Sequence, residues 1–228
     1  LHGTVKPAGN KNAALPILAA TLLGDGPSEL DNVPRIRDVE TMLELLADLG
    51  CTVEWSGPNT VQVDPRGARP KPLNPALSAR SRASILLAGP LLARFGRVAL
   101  PPPGGDVIGR RRVDTHFLAL EALGAEVQLG DNYELFGKSL RGADIFLDEP
   151  SVTGTENALM AAVAAKGRTV FRNAAAEPHV QDLARFLVAM GASIEGIGSN
   201  MYVVEGGRPL QGARHTIGPD HIEIGSFI

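Results

Sequence analysis

The 228 residues, 44% hydrophobic and 21% charged with a formal net charge of -3, describe an ordinary globular chain, and the mild acidity argues against general nucleic-acid binding. Aromatic residues make up only 4%, and no apolar run approaches the ~20 residues of a membrane span, so no membrane partner is expected. The single cysteine, Cys51, excludes an intrachain disulfide and a multi-cysteine metal site, fits a reducing cytoplasm, and reads as a structural thiol opening an alternating segment after Gly50.

In chain order, the first element is announced by AGNKNAALPIL, Ala8 to Leu18. Gly9, Asn10, Lys11 and Asn12 stand directly before an apolar run that predicts a buried helix through Leu23. SELDNVP from Ser28 then reads as a short strand. VETMLELLADLGCTVEW from Val39 predicts an amphipathic helix with Met42, Leu45, Leu46 and Leu49 on one face and Gly50 as its stop, then a strand that turns back at SGPN into TVQV. The same order recurs twice. RASILLAGPLLARF and RVALPPP lead to VDTHFLALEALGAEVQL, with Gly124 as the stop and a GDN turn into YELF. GTENALMAAVAAK and RTVFRNA lead to VQDLARFLVAMGASIEG, with Gly191 as the stop and a GIGSN turn into MYVV.

The expectation is an α/β (α+β) fold of three repeated βαβαββ units, residues 8–77, 78–148 and 149–217, closing around a shared core as one domain, 1–217. The final IEIGSFI reads as the opening of another such helix. Residues 218–228 are therefore the expected start of a truncated second domain, and the chain a fragment of a longer protein. The Pro-rich stretches Pro65 to Ala79 and Pro101 to Gly109 read as loops within the repeats.

Each unit's first helix follows a polar cluster: Gly9-Asn10-Lys11-Asn12, then Arg80-Ser81-Arg82, then Ser151-Val152-Thr153-Gly154-Thr155. Unpaired N–H groups and the positive end of the helix dipole make such starts suited to anions, and side-chain cations add to that. The plainer alternative makes Asn10, Ser81 and Thr153 simple caps and leaves Lys11 and the arginines solvated. PPPGGDVIGRRRVDTH, Pro101 to His116, joins a stiff proline run to a pliable glycine pair, as active-site lids do. It carries Asp106 and then Arg110, Arg111 and Arg112, a residue type suited to bidentate recognition of phosphate or carboxylate. A solvated basic turn with Asp114 as a cap fits the same letters. GGDVIG lacks both the Rossmann glycine spacing and the Lys-Ser/Thr of a P-loop, and no Gly-x-Ser-x-Gly elbow occurs. His116, His179 and His221 are too scattered for metal spacing, so no metal or cofactor is expected. His2 and His215 read as ordinary surface or strand residues.

GNKNAALPILAATLL, SRASILLAGPLLARFG, PGGDVIGRRRVDTH, PSVTGTENALMAA and NAAAEPHVQDLARFL together resemble successive motifs of the enolpyruvyl transferases, over essentially the whole chain. The resemblance implies two similar globular domains, each of three such units, with substrates in the cleft between them. This chain would be the amino-terminal half, its second domain missing. The implied reaction moves the enolpyruvyl group of phosphoenolpyruvate to the 3-hydroxyl of UDP-N-acetylglucosamine through a tetrahedral intermediate, releasing phosphate, during peptidoglycan synthesis in the bacterial cytoplasm. Asn12 stands where the shikimate-using sibling is expected to have serine.

By the same resemblance Lys11 and Arg111 match contacts to the phosphate of phosphoenolpyruvate, Asn12 a contact to the sugar and intermediate, and Arg82 a substrate-binding arginine. Arg111, Arg112, Val113, Asp114 and Thr115 match the run that holds the uridine. Ser151 and Val152, with Thr153 beside them, match backbone contacts near the diphosphate, and Glu177 and Asp220 match cleft carboxylates. Asp106 stands where most members carry a loop cysteine, which implies an aspartate proton donor and insensitivity to the epoxide fosfomycin. Arg112 departs from a common proline, and His221 from a usual arginine. The absent half supplies a catalytic carboxylate and a further arginine in the family, so this chain alone is expected to be inactive. Two other readings keep a place: a shikimate-type transferase, and a non-catalytic module that binds anions or nucleotide sugars.

Overall fold

The computed structural model describes residues 2–104 and 112–228. From the amino end come helix α1 (Lys11–Ala20), strand β1 (Ser28–Asp31), helix α2 (Arg37–Asp48) and the hairpin β2 (Thr52–Trp55) with β3 (Val61–Asp64). Then follow the short helix α3 (Pro75–Ser78), a 3-10 segment Arg82–Leu87 running into α4 (Ala88–Phe95), β4 (Arg97–Leu100), α5 (Asp114–Ala122) and the hairpin β5 (Glu126–Leu129) with β6 (Tyr133–Phe136). The last stretch holds β7 (Asp144–Phe146), α6 (Val152–Ala162), β8 (Gly167–Arg172), α7 (Pro178–Ala189), the hairpin β9 (Ser193–Glu195) with β10 (Met201–Gly206), β11 (Arg214–Thr216) and α8 (His221–Ser226).

This is a mixed α/β architecture with three sheets, ordered β11-β1-β3-β2, β4-β6-β5 and β7-β8-β10-β9. The leading strand expected at the head of each unit is found there only as β7, which runs parallel to β8. In the first sheet that place is filled by β11, from the far end of the chain, parallel to β1 with Leu30 opposite His215. Arg214 fixes the register by reaching Asp31 at 3.0 Å and Glu29 at 3.2 Å. Beside β4, Leu73 N–H donates to the Ala99 carbonyl at 3.0 Å, but Pro70 and Pro72 lack the N–H groups a ladder needs, and no strand is assigned there among the described residues. The Pro65 to Ala79 stretch is also more ordered than a plain loop, with a 3-10 turn at Pro65–Gly67 and α3 capped by Asn74.

The helices pack against one another on the inner sides of the sheets. α1 is buried from Ala13 through Ala20, as an apolar run without a polar face requires. α2 and α7 each turn an apolar face inward, with Thr41 of α2 and His179 and Asp182 of α7 buried alongside, and the two helices end alike. Gly50 takes a φ of 101° and Gly191 one of 110°; the Cys51 and Ala192 N–H groups reach back to the Leu46 and Leu187 carbonyls, each at 3.0 Å. These are the paired bonds of a left-handed helix stop, which a side chain would strain, and Gly124 after α5 repeats them.

One helix departs from its predicted course. The apolar run from Arg82 starts as a 3-10 segment because its ladder is interrupted by a neighbour. The Gly89 N–H, which a continuous α-helix would direct to the Ile85 carbonyl, donates instead to Asn157 Oδ1 of α6 at 2.8 Å. Asn157 Nδ2 in turn donates to the Ile85 carbonyl at 2.9 Å. The side-chain amide thus splices itself into the backbone ladder, next to Pro90, which cannot donate at all. Gly89 permits the close approach: a Cβ there would lie 2.6 Å from the Asn157 carbonyl oxygen.

The chain's two end segments meet. Asn10 N–H donates to the Gly218 carbonyl at 2.8 Å and Asp220 N–H to the Ala8 carbonyl at 2.9 Å. His215 is no ordinary strand residue, since its Nε2 lies 2.9 Å from Asp182 Oδ1 of α7. Asp220 caps α8 through the Ile222 and Glu223 N–H groups, and no residue of that helix is buried. Among the described residues no helix is long and apolar enough to cross a membrane.

Candidate active site

Five helical segments meet at one groove of about 980 Å³. Lys11, Asn12 and Leu15 come from α1, Ile36 to Asp38 from the start of α2, and Arg80 to Ala83 with Leu86 from the 3-10 segment. Arg112 and Glu149 flank the start of α6, which gives Ser151, Val152, Thr153 and Glu156, and His179 of α7 closes the far end. A smaller cavity of about 290 Å³ lies between Lys71–Pro75 and Asn132, but its one cation, Lys71, is paired with Asp48 at 2.9 Å.

The caps follow the local sequence. Asn10 accepts from the Asn12 N–H, Ser81 from the Ala83 N–H, and Ser151 from the Gly154 N–H. Thr153 is therefore not the cap of α6 but its second residue, and Ser151 does the capping. The Val152 and Thr153 N–H groups, the first two of α6, have no partner inside their helix, and among the described residues no backbone acceptor is found for them. Asp114 is likewise no cap: it is the first residue of α5, and its carboxylate is bound by Arg112.

Three cations of the groove, Lys11, Arg80 and Arg112, are held by acids at its edges. Lys11 Nζ lies 2.8 Å from Asp38, and Arg80 lies 2.8 Å from Glu44. Arg112 reaches Asp114 at 2.6 Å and Asp148 at 2.5 Å, while its carbonyl accepts from Arg82 Nη2 at 2.8 Å. The Arg112 guanidinium holds the Asp114 carboxyl below the usual range; Asp148 is lowered first by the Thr115 hydroxyl and then by Arg112.

Lys11, Asn12, Arg82, Arg112, Ser151, Val152 and Thr153 thus share the groove. Val113, Asp114 and Thr115 do not line it; Thr115 is buried with its hydroxyl on Asp148 Oδ1 at 2.8 Å. Glu177 precedes α7, and Asp220 caps α8, both near but not on the groove's lining. Asp106 and Arg111 lie outside the described residues. Among the described residues no three His, Cys, Asp or Glu side chains stand close enough to share a metal ion.

Sequence reasoning passed over Glu156 and Asn157 and weighed His116 and His179 only as metal ligands. The available signal was the polar pair Glu156-Asn157 inside the apolar stretch GTENALMAA, since polar residues in a helix buried all round must meet partners or remain neutral. His116 is 2% exposed, with Nδ1 2.8 Å from Asn157 Nδ2 and Nε2 3.0 Å from Thr153 Oγ1. Burial brings its pKa down to about 4, with the Arg82 charge acting in the same direction. The His179 ring stacks on that of His221 at 6.0 Å.

Glu156 is 1% exposed, and its Oε1 has no hydrogen-bond partner among the described residues. Burial, and then the charge of Glu177, push its carboxyl well above the ordinary carboxylate value of 4.5. The unfolded chain ionises this group above that value while the folded chain keeps it neutral. Its contribution to stability is therefore full in acid and is lost as pH rises toward the folded pKa, by about 1.4 kcal/mol per pH unit. Glu156→Gln is expected to be more stable than the parent at pH 7.5 and equal to it near pH 4. Urea unfolding at the two pH values checks this, and an equal difference at both would refute a neutral acid.

The sequence and the fold have counterparts among known proteins. The family model described as EPSP synthase (3-phosphoshikimate 1-carboxyvinyltransferase) matches residues 1–228. The chain is 61% identical over 228 residues to the UDP-N-acetylglucosamine 1-carboxyvinyltransferase of Bradyrhizobium diazoefficiens, with 100% of this chain and 53% of that protein covered. It is 53% identical to the protein of the same name from Treponema denticola, covering 100% of this chain and 54% of the other. The chain thus spans about half the length of the curated relatives it matches. Among solved structures, the enolpyruvyl transferase NikO from Streptomyces tendae aligns with a TM-score of 0.85 at 22% identity, over 100% of this chain and 54% of that one. An EPSP synthase from Acinetobacter baumannii aligns at 0.76 and 20% identity, over 99% and 51%. At those identities the structural likeness concerns the fold, whereas the family match runs through the whole sequence. The chain belongs to the EPSP synthase (3-phosphoshikimate 1-carboxyvinyltransferase) family of enolpyruvyl transferases.

Proposed function

We propose that the chain is the amino-terminal half of an enzyme that transfers the enolpyruvyl group of phosphoenolpyruvate to the 3-hydroxyl of UDP-N-acetylglucosamine, releasing phosphate, in bacterial cytoplasmic peptidoglycan synthesis. Residues 1–217 are its first domain, in three units, and 218–228 begin the second. The observation that carries the reading is the convergence of Lys11, Arg82 and the open start of α6 on one groove of about 980 Å³. That volume and its few convergent polar groups suit a nucleotide sugar with a small anion beside it. The choice of acceptor is supported by the names of the relatives.

In this reading the phosphate of phosphoenolpyruvate lies against Lys11 and Arg111, where fixed cations offset charge that builds on the departing group. Asn12 orients the sugar, and Arg82, Arg112, Ser151, Val152 and Thr153 hold the nucleotide diphosphate and uridine. Asp106 protonates the enol carbon; a carboxyl can do so once a closed loop desolvates it. Insensitivity to fosfomycin belongs to the same reading. Cys51 is no substitute target for the epoxide, because it is buried and burial pushes its thiol up to about 11. With one wall of the cleft elsewhere, this chain alone gives no turnover.

Calorimetry on the complete protein tests the proposal. UDP-N-acetylglucosamine is expected to bind and shikimate 3-phosphate is not. The reverse result would select the shikimate-type reaction, and binding without turnover on adding phosphoenolpyruvate would select a non-catalytic module.

A further inference from the structure

The Asn157 amide can be oriented in only one way. Its two backbone partners have fixed roles: the Gly89 N–H donates to Oδ1 at 2.8 Å, and the Ile85 carbonyl accepts from Nδ2 at 2.9 Å. The remaining Nδ2 hydrogen is directed at His116 Nδ1, 2.8 Å away, so that ring nitrogen accepts and carries no proton. A neutral imidazole then bears its hydrogen on Nε2 and donates it to Thr153 Oγ1 at 3.0 Å. An imidazolium would set a second N–H against the amide N–H, which the geometry forbids. Thr153 Oγ1 is therefore an acceptor toward the protein interior, and its own hydrogen points elsewhere. Thr153 is half-buried and lines the groove beside the open Val152 and Thr153 N–H groups.

We propose that His116 and Asn157 are positioning residues that commit the Thr153 hydroxyl to donate into the groove, so that the start of α6 selects an oxygen acceptor of a phosphate-bearing ligand. The relay Gly89 to Asn157 to His116 to Thr153 ties that donor to the break between the 3-10 segment and α4. It adds a donor without adding a charge, and the hydroxyl offers no comparable welcome to a ligand N–H. The choice of probe rests on the nucleotide-sugar reading above; the ring tautomer does not.

Two measurements decide it. Nitrogen-15 NMR of the histidine rings in this chain is expected to show His116 as the neutral Nε2–H form at pH 7 and still unprotonated at pH 5. A proton on Nδ1, or titration in the ordinary histidine range, would overturn the relay. In the complete protein, Thr153→Val is expected to weaken UDP-N-acetylglucosamine binding about tenfold, with Thr153→Ser restoring it. His116→Leu is expected to weaken it similarly and to add nothing to Thr153→Val in the double variant, while His116→Gln recovers part of the loss. Equal binding by Thr153→Val, or additive losses in the double variant, would sink the proposal. Failure of the parent to bind the nucleotide sugar, with the expected tautomer present, would count against the functional reading instead. Inorganic pyrophosphate then becomes the probe for the same Thr153 pair, and an unchanged affinity there overturns the donor role.

Discussion

Asn157→Ala is expected to remove about 3–5 kcal/mol of folding free energy, a large share of what holds a domain of this kind together. The side chain is completely buried and serves three partners: the Gly89 N–H, the Ile85 carbonyl and His116 Nδ1. Ile85 keeps a second bond from the Ala88 N–H, but Gly89 loses its acceptor and His116 its donor, at ~1–3 kcal/mol each, with a cavity term added. Urea unfolding of the chain measures the loss. A value under about 1 kcal/mol would mean that the Gly89 N–H and the Ile85 carbonyl close on each other, making the splice dispensable.

Lys11→Met in the complete protein is expected to lower kcat/KM by roughly 10²- to 10³-fold, the usual effect of deleting one preorganised group that faces developing negative charge. Its effect on folding should be slight. The Lys11 side chain is 45% exposed and that of Asp38 33%, so their 2.8 Å pair is a solvent-screened one worth less than ~1 kcal/mol. Arginine is not expected to rescue the loss, because a planar fork does not occupy the place of a compact ammonium. Steady-state kinetics beside a melting curve separates the two effects. Unchanged kcat/KM would remove Lys11 from the phosphate site.

What could be read from the letters was whatever depends on neighbours in sequence. Gly50, Gly124 and Gly191 mark helix stops because only the local backbone is involved, and SGPN, GDN and GIGSN mark turns for the same reason. The helix starts at Asn10, Ser81 and Ser151 are short-range features too, so their polar clusters could be read as caps or anion sites, while their meeting in one groove is a matter of tertiary packing. Partners far apart in sequence left no such trace. Nothing near Arg214 announces that it pairs with Asp31, and nothing near Ile85 announces that an amide from α6 will enter its helix. Thr115 adds a second case: its place in a motif matches a ligand contact by resemblance, and nothing near it in sequence announces that its buried hydroxyl also reaches Asp148.

The parallel ladder between β1 and β11 reaches beyond stability into the way the molecule is made. Glu29 waits for Arg214, and Leu30 for His215. At ~5–20 residues per second of synthesis, β1 spends roughly ten to forty seconds as an open sheet edge before its neighbour leaves the ribosome. Even in a finished chain, that pairing must bring together residues about 185 positions apart, so loop closure favours its forming late. During that interval the exposed edge invites strand exchange between nascent copies, and slower translation past β10 would lengthen the risk.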